Sequence, residues 1–483
     1  MIPPQTILAR AVAALLAAAA GVAAAQGTDS GGSSSGSSSG NAQPSSSSPS
    51  QTPAPAPAPA PAPGGPGGVS GSQAGTPGAL PGSVSLNSAN PWYFGVSESL
   101  THDSNVFRVP DGPSGNISST SAVGGIDQPI GRQHLYGAGN VSYNKYFGHS
   151  ELDNTSYNLL GNFEWQTVGH LSGNVGVAFG QNLSQPVTGV GPTQQANQST
   201  TQHEQASVLW GGVANFGLEG FVSHDRIDYS NDASKFLNSY QNTASAVLRW
   251  LPSGPLKLGL GYRETRLVQP EALQLVNGDV LRNDVRGKNI DLYVDYIVGP
   301  TLAFNGRISR TKQTNSGASS ADFSGNTGYA VLSWQITGKT SVSAYASRDV
   351  GFNTSPFNAT TVFFIGNTPF FSNVTGLYQN NQVTNSGGLT ANWQATGKIT
   401  AYAGLRYSRA KLISTLALGS IAEAVPDTTD RSKIAYLGAT WAITRGWSAG
   451  CNASYENRDV TGTINPFSYN VTAIGCTGQY TWR

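Results

Sequence analysis

Apolar and polar residues alternate along most of the chain from Asn90 to Arg483, with the two-residue period of a β-strand that has one apolar face. Several alternating runs close with a tryptophan, pass through Thr-Gly-Lys, Pro-Ser-Gly or a similar sequence, and then resume. Residues of these types form the tight turns that join antiparallel strands. The clearest copies of this unit are Leu332–Tyr345, Ala391–Tyr402, Ala439–Gly446 and Leu248–Pro255. The pattern therefore predicts a long succession of β-hairpins.

The spacing of the turns predicts the number of strands. Tight connections alternate with longer segments rich in Asn, Ser, Thr, Asp and Gly, and they lie near Gly131, Gly169, Phe216, Gly254, Gly299, Gly338, Gly397 and Arg445. These turns join nine hairpins into eighteen strands, with sixteen as the alternative count. An even number is expected of a transmembrane antiparallel β-barrel, so the predicted class is all-β. The longest polar segments, from about 352 to 380 and from about 185 to 201, are predicted to be loops.

The tryptophans share one kind of position, next to a predicted short turn or at an end of the strand region. They are Trp92, Trp165, Trp210, Trp250, Trp334, Trp393, Trp441, Trp447 and Trp482. Amphipathic aromatic rings settle at the boundary between lipid tails and head groups, whereas a soluble β-sandwich would bury them in its core. We therefore expect an aromatic girdle at one end of the barrel. Short turns face the periplasm in such barrels, so the girdle marks the periplasmic side.

The same alternation assigns one face of each strand to lipid and the other to the lumen. In the run Leu256, Leu258, Leu260 and Tyr262 the apolar side chains face lipid, which turns the residues between them inward. An apolar outside and a polar inside are the inverse of a soluble barrel, and they imply a hydrated lumen or a polar plug. The charged residues predicted to line the lumen are Glu164, Arg249, Lys257, Arg263, Asp291, Asp295, Arg307 and Arg406.

Two segments precede the strand region. Residues 1–25 combine Arg10, an apolar stretch and a small-residue cleavage site, as in a secretory signal peptide. Residues 26–89 contain Ser/Gly tracts and an alternating Pro-Ala run, a composition that is expected to stay disordered. We expect this linker to lie in the periplasm, either as an inert tether or as a spacer that reaches a partner. Residues 90–483 are then the outer-membrane β-barrel.

The two cysteines, Cys451 and Cys476, lie on the last two predicted strands, at similar distances from the centre of the loop between them. A hairpin places them opposite each other, and the two-residue alternation along each strand puts both on the lipid face. The periplasm is oxidising, so we expect a disulfide that seals the final hairpin. Two free thiols that act as small apolar groups are the alternative.

The sequence contains no catalytic constellation. Histidine and aspartate are adjacent at His102–Asp103 and at His224–Asp225, but neighbours on a strand face opposite sides and cannot form an acid/base pair by spacing alone. No metal-spaced His/Cys cluster, nucleophile motif or phosphate loop is present. The formal net charge of +1 argues against a nucleic-acid partner. The sequence thus predicts a protein that is not an enzyme and holds no cofactor or metal.

Several segments resemble the EpsL-like outer-membrane β-barrels, whose genes lie in exopolysaccharide-biosynthesis clusters. They are Asp103–Arg108, Gly124–Tyr136, Leu152–Tyr157 and Trp165–Gly173. The resemblance covers most of the barrel but not the linker, and it is most specific in the first five strands. It implies a role in moving or accommodating a secreted polysaccharide, and it brings no catalytic residues. The end of the chain is similar to the signal that the barrel-assembly machinery recognises, although Arg483 follows the terminal aromatic residue here.

The leading hypothesis is therefore a passive outer-membrane conduit for exopolysaccharide. One alternative is a general porin for small solutes, in which the long segment after Phe352 folds inward as a constriction. Another is a non-transporting scaffold that recruits periplasmic export proteins through residues 26–89. The expected partners are outer-membrane lipid, polysaccharide and, during insertion, the barrel-assembly machinery. An outer-membrane hydrolase is the weakest hypothesis because no site supports it.

Overall fold

A computed structural model describes residues 91–184, 197–213, 215–274, 280–299, 301–316, 322–365, 368–418, 421–462 and 468–482. The predicted signal peptide and the Ser/Gly/Pro-Ala linker lie outside the described residues. So does most of the loop predicted from about 185 to 201, of which the last residues belong to a strand.

The described chain is almost entirely β-strand. The strands are β1 Trp92–Asp103, β2 Gly115–Ile130, β3 Gln133–Phe147, β4 Asn154–Gln166, β5 Leu171–Leu183, β6 Gln198–Val213, β7 Phe216–Tyr229, β8 Ser239–Trp250, β9 Leu256–Gln274, β10 Val280–Val298, β11 Leu302–Asn315, β12 Phe323–Thr337, β13 Thr340–Ile365, β14 Thr368–Gln394, β15 Ile399–Leu418, β16 Ile421–Ala442, β17 Trp447–Thr461 and β18 Tyr469–Trp482. Two short 3₁₀ helices, Ser150–Leu152 and Asp232–Leu237, lie in connections at the end away from the tryptophans.

The strands form one closed antiparallel sheet. Each strand pairs with its neighbours in the chain, and β1 also pairs with β18, from Phe94 opposite Trp482 to Asp103 opposite Ala473. This closing ladder leaves the sheet without a free edge, which is the condition for a β-structure to exist in lipid. The predicted transmembrane antiparallel β-barrel and its count of eighteen strands are confirmed, and the alternative of sixteen is wrong.

The tight connections lie where the sequence placed them, each between an even-numbered strand and the next odd-numbered one. The prediction of a loop from about 352 to 380 is wrong. Strands β13 and β14 continue through this segment and stay paired from Phe352 opposite Asn381 to Ile365 opposite Thr368. The many Asn, Thr and Gly residues of the segment resemble a loop in composition. The backbone ladder nevertheless continues as far as Ile365 opposite Thr368, so the described part of the segment is not an inward-folded constriction loop.

The tryptophans all lie at the end of the barrel that carries the short turns, on the outward face; eight of them are exposed in the isolated chain and Trp165 is half-buried. The outward face above them is apolar along most strands. On β9 it consists of Leu256, Leu258, Leu260 and Tyr262, as the alternation predicts. This is the lipid-facing band and girdle of a membrane-spanning barrel. No helix within the described residues is long and apolar enough to cross a membrane.

Cys451 and Cys476 lie directly opposite each other on β17 and β18 and are joined by a disulfide, with their Cα atoms 4.1 Å apart. Both are exposed on the outward face. The bond ties the last hairpin together next to β1, where the barrel closes.

We expect the Cys451→Ala/Cys476→Ala variant to lose stability because the unfolded chain regains the entropy of the loop between the two residues. For a sequence separation of 25 residues the loss in free energy of unfolding is about 3 kcal/mol. Urea titration of the barrel refolded in phospholipid vesicles, followed by tryptophan fluorescence, measures it. Reduction of the disulfide in the wild-type protein should lower the urea midpoint of unfolding by the same amount as the double substitution. If neither the variant nor the reduced wild type has a lower midpoint, the disulfide does not stabilise the barrel.

Candidate functional site: the lumen

The charged residues predicted to line the lumen all lie on the strand face opposite to the tryptophans. Register fixes this placement, since each is paired with a residue of the same face on the next strand: Arg249 with Gly259, Lys257 with Asp295, Arg263 with Asn289, and Arg406 with Gly388. The inward face is polar along most of its length. The structure brings six of the eight into one region of the wall and leaves Glu164 and Arg406 on other parts of it.

Arg249 is the centre of one ion-pair network on the lumen wall. Its Nε donates to Glu219 Oε2 at 2.6 Å, and its Nη1 donates to Asp295 Oδ2 at 3.0 Å. Asp295 also accepts a hydrogen bond from Asn305 Nδ2 at 2.8 Å. The guanidinium carbon lies 4.8 Å from the ring centroid of Tyr293. The network links strands β7, β8, β10 and β11 across the inner surface and leaves little uncompensated charge there.

Asp291 is the centre of a second network. It is 0 % exposed and accepts hydrogen bonds from Arg263 Nε at 2.9 Å and from the Tyr293 hydroxyl at 3.1 Å. A fully buried carboxylate is tolerated only when it is paired in this way. On the next strands the guanidinium of Arg307 lies 5.0 Å from the ring centroid of Tyr329. Arginine and tyrosine thus alternate on this part of the wall.

Two inward charges, Arg406 and Glu164, lie apart from these networks. Among the described residues Arg406 makes no ion pair, and its side chain is exposed although it lies on the lumen face. Glu164 is 60 % exposed and accepts a hydrogen bond from Asn162 Nδ2 at 3.2 Å, with His134 Nδ1 4.0 Å away. Exposure on the inner face means that water has room beside both side chains. The lumen wall is therefore accessible to water at β4 and at β15.

Inward tyrosines lie opposite glycines on the neighbouring strand. The pairs are Tyr93 with Gly125, Tyr345 with Gly388, Tyr402 with Gly438, Tyr436 with Gly404, and Tyr293 with Gly259. In the first four pairs a Cβ atom added to the glycine would collide with the tyrosine ring, so each ring lies against the wall over its glycine. The rings of Tyr402 and Tyr436 are 6.5 Å apart. The sequence alone does not reveal these pairs, because they depend on the register between neighbouring strands.

The connection between β1 and β2 folds inward at the end of the barrel away from the tryptophans. Asn105, Val106 and Arg108 are buried, and Arg108 has a positive φ of 57°. The side chain of Asn105 holds the turn: its Nδ2 donates to Val109 O at 2.6 Å, and its Oδ1 accepts from Val109 N at 3.2 Å. Asp103 Oδ1 accepts from the backbone N–H of Asn105 at 2.8 Å. We call residues 104–114 the inner loop.

Arg108 joins the inner loop to the barrel wall. It makes an ion pair of 2.8 Å with Asp103 on β1, and its Nε lies 4.0 Å from Oε2 of Glu456 on β17, which is 1 % exposed. The Tyr469 hydroxyl donates to the other oxygen of Glu456 at 3.1 Å. Burial lowers the pKa of Arg108 and the two carboxylates raise it; the net result is a pKa above the usual value, so the guanidinium stays charged.

Sequence reasoning did not place the inner loop in the lumen. The signal was available, since Asp103, Asn105 and Arg108 belong to one of the segments that carry the resemblance to the EpsL-like barrels. Their structural role follows from contacts with β17 and β18, near the other end of the chain, and alternation within one segment contains no information about those contacts.

The two adjacent His–Asp pairs are split between the faces of the sheet. His102 faces outward and lies 2.9 Å from Asn116 Oδ1, whereas Asp103 faces inward to Arg108. His224 likewise lies 2.8 Å from Asn242 Oδ1, while Asp225 contacts His203 on the inner face at 2.5 Å. Neither adjacent pair therefore forms an acid/base dyad. Within the described ranges no three His, Cys, Asp or Glu side chains come together in a group that could hold a metal ion.

Comparison with known proteins gives likenesses in structure only. No family model and no curated protein matches the sequence. Solved structures that are similar include OccK1 (OpdK) of Pseudomonas aeruginosa, with 10 % identity and a TM-score of 0.39 over 81 % of this chain and 99 % of that chain. A mutant ferric enterobactin receptor (PfeA) of the same organism, in complex with enterobactin, has 10 % identity and a TM-score of 0.40 over 81 % of each chain. The siderophore receptor PiuA from Acinetobacter baumannii has 9 % identity and a TM-score of 0.38 over 80 % of this chain and 82 % of that chain. These likenesses are too distant to carry an argument about function.

Replacing Arg108 with alanine should release the inner loop, because Asp103 and Glu456 then remain buried without their cation. Breaking a buried ion pair costs about 3 kcal/mol or more. We expect faster cleavage by proteinase K within residues 104–114 and a higher single-channel conductance in planar bilayers. Arg132→Ala, in the exposed turn between β2 and β3, is the matched control and should change neither quantity. Wild-type cleavage and conductance in Arg108→Ala would show that this residue does not hold the loop.

Proposed function

We propose that this protein is an outer-membrane channel and that its polar lumen conducts an exopolysaccharide. The observation that carries the proposal is the set of tyrosine rings that lie against the lumen wall over glycines, beside hydrogen-bonding and charged side chains. Barrels of sixteen to eighteen strands leave room for an aqueous path.

The chemistry of such a wall suits a sugar chain. A pyranose ring has apolar C–H faces and polar hydroxyl edges. An aromatic ring packs against the C–H faces, and Asn, Ser, Thr and Arg side chains form hydrogen bonds with the hydroxyl groups. A tyrosine that lies flat presents its ring face to the lumen instead of blocking it. Tyr402 and Tyr436 lie on adjacent strands with ring centroids 6.5 Å apart and ring planes inclined at 51°, so they form an aromatic pair on the lumen wall.

The charge balance of the wall favours a polymer of low charge. Arg249 is compensated by Glu219 and Asp295, and Arg263 is compensated by Asp291. A conduit for a strongly acidic polymer would instead need a lumen of one positive sign. The formal net charge of the whole chain, +1, agrees with this balance.

The resemblance to the EpsL-like barrels supports the assignment of a secreted polysaccharide as the substrate. Its first segment contains Asp103, Asn105 and Arg108, which build the inner loop. The shared residues therefore lie at the mouth of the lumen on the proposed extracellular side, where a polymer would leave.

A general porin for small solutes is the second candidate. The exposed lumen-facing side chains of Arg406 and Glu164 favour it, because separated charges of opposite sign in a wet lumen are common to channels for small polar solutes. A scaffold that acts through residues 26–89 is the third candidate, and it depends on a segment outside the described residues.

The Tyr402→Ala/Tyr436→Ala variant tests the aromatic surface. We expect the amount of secreted polysaccharide to fall several-fold, because the polymer loses the surface that its sugar faces contact. The Tyr402→Phe/Tyr436→Phe variant should keep most of the secretion, since the rings remain. Polysaccharide in the culture medium is measured against the amount of barrel in the outer membrane.

Tyr262→Ala, on the outward face of β9, is the matched control and should secrete normally. Wild-type secretion by the double alanine variant would contradict the role given to the rings.

Deletion of the whole gene separates the three candidate functions. A conduit predicts loss of secreted polysaccharide, and restoration by a chain that lacks residues 26–89 but keeps the signal peptide. A scaffold predicts that this shortened chain fails to restore secretion although it reaches the outer membrane. A porin predicts unchanged secretion and slower uptake of small solutes, measured by liposome swelling with the purified barrel. Unchanged secretion in the deletion strain would overturn the proposed conduit.

A further inference from the structure

Two arginines face each other on the outside of the barrel. Arg409 on β15 and Arg431 on β16 are directly opposite in register, and Lys433 follows on the same outward face of β16, opposite Tyr407. Like charges directly opposite each other on a sheet are destabilising. Arg431 has one partial partner, Asp459 at 3.6 Å, while Arg409 and Lys433 make no ion pair with any described residue. This group of three cations therefore carries more positive charge than the protein neutralises.

The cations lie at the upper edge of the lipid-facing band. Arg431 is ten residues from Trp441 along β16, and the outward residues next to Trp441 are Ala439, Leu437 and Ala435. At about 3.3 Å per residue and a strand tilt of about 40°, ten residues span roughly 25 Å, the height of the apolar band. The three cations thus lie at the level of the head groups of the outer leaflet.

Two cavities on the outer wall meet at Lys433. One has a volume of about 290 Å³ and is lined by Arg431, Lys433 and the amides of Asn457 and Asn470, with Asp459 at its side. The other has a volume of about 330 Å³ and lies on the side of the aromatic girdle. Its outward lining residues are Leu389, Leu405, Tyr407, Ala435 and Tyr455, together with Lys433. A cationic cavity therefore continues into an apolar groove.

We propose that this surface, between β14 and β18, binds a phosphorylated lipid of the outer leaflet. The phosphate lies in the first cavity against Arg431 and Lys433, with Arg409 opposite Arg431 adding to the positive charge, and an acyl chain lies in the groove over Ala435. Charge complementarity selects the phosphate, and the order of the two cavities, polar at the head-group level and apolar below it, matches a lipid oriented in the outer leaflet. The inference rests on the barrel spanning a membrane and is independent of what passes through the lumen.

The test is native mass spectrometry of the full-length barrel in detergent with dioleoyl phosphatidic acid. The Arg409→Gln/Arg431→Gln/Lys433→Gln variant should bind this lipid roughly a hundredfold more weakly, since each cation near a membrane surface contributes about one kcal/mol to anionic binding. The matched control removes three cations elsewhere: Lys145→Gln/Arg132→Gln/Lys339→Gln. It should bind like the wild type. Equal weakening in both variants would overturn the site.

Further probes distinguish a lipid from free phosphate. Dioleoyl phosphatidylcholine should bind the wild type much more weakly than phosphatidic acid, and inorganic phosphate at the same concentration should not displace phosphatidic acid. Ala435→Phe fills the groove on a face where bulky apolar groups are tolerated, and it should weaken phosphatidic acid binding without changing the heat-modified gel mobility of the folded barrel. Displacement by inorganic phosphate, or wild-type lipid binding by Ala435→Phe, would show that no acyl chain is recognised and would overturn the proposal.

Discussion

The whole architecture depends on closing the backbone hydrogen-bond ladder. In lipid no water is present to bond to an exposed sheet edge, so β1 must meet β18. The structure achieves this through an antiparallel ladder from Phe94 opposite Trp482 to Asp103 opposite Ala473. The disulfide between Cys451 and Cys476 joins β17 to β18, the strand that forms this seam with β1, and the inner loop bonds across the seam through Ser104 N to Thr472 O at 3.0 Å. Covalent and polar contacts therefore concentrate where the two ends of the chain meet.

Alternation within strands and turn chemistry between them were sufficient to predict the barrel. Both are local properties: Trp393, the Thr-Gly-Lys turn and Tyr402 lie within ten residues, and together they fix a hairpin and its facing. The error at β13 and β14 has a physical cause. Beyond the lipid band a strand no longer needs an apolar outward face, so the alternation fades while the backbone ladder continues. Composition then resembles that of a loop even though the pairing persists.

The lumen was less predictable than the fold. The alternation of side chains along a strand predicted that Arg249, Arg263 and Asp291 face the lumen, because the position in the strand decides the face. It could not give their partners, since Arg249 reaches Asp295 across the intervening strand β9 and Arg108 reaches Glu456 across the seam. The tyrosine–glycine pairs could not be predicted for the same reason. Each follows from the register of two strands, so only a register-level alignment of successive hairpins would have revealed them before the structure.

The inner and outer faces use cations in different ways, and the contrast follows from their surroundings. On the inner wall Arg249 and Arg263 are largely buried, and burial without a carboxylate would be costly, so Arg249 pairs with Glu219 and Asp295 and Arg263 pairs with Asp291. On the outer wall Arg409 and Lys433 are exposed at the edge of the lipid band, where the head groups can supply the counter-charge. The same residue types are thus neutralised by protein carboxylates on the inner wall and, in the proposed lipid site, by a phosphate on the outer wall. A change in lipid charge would then act on the outer cations alone and leave the lumen network intact.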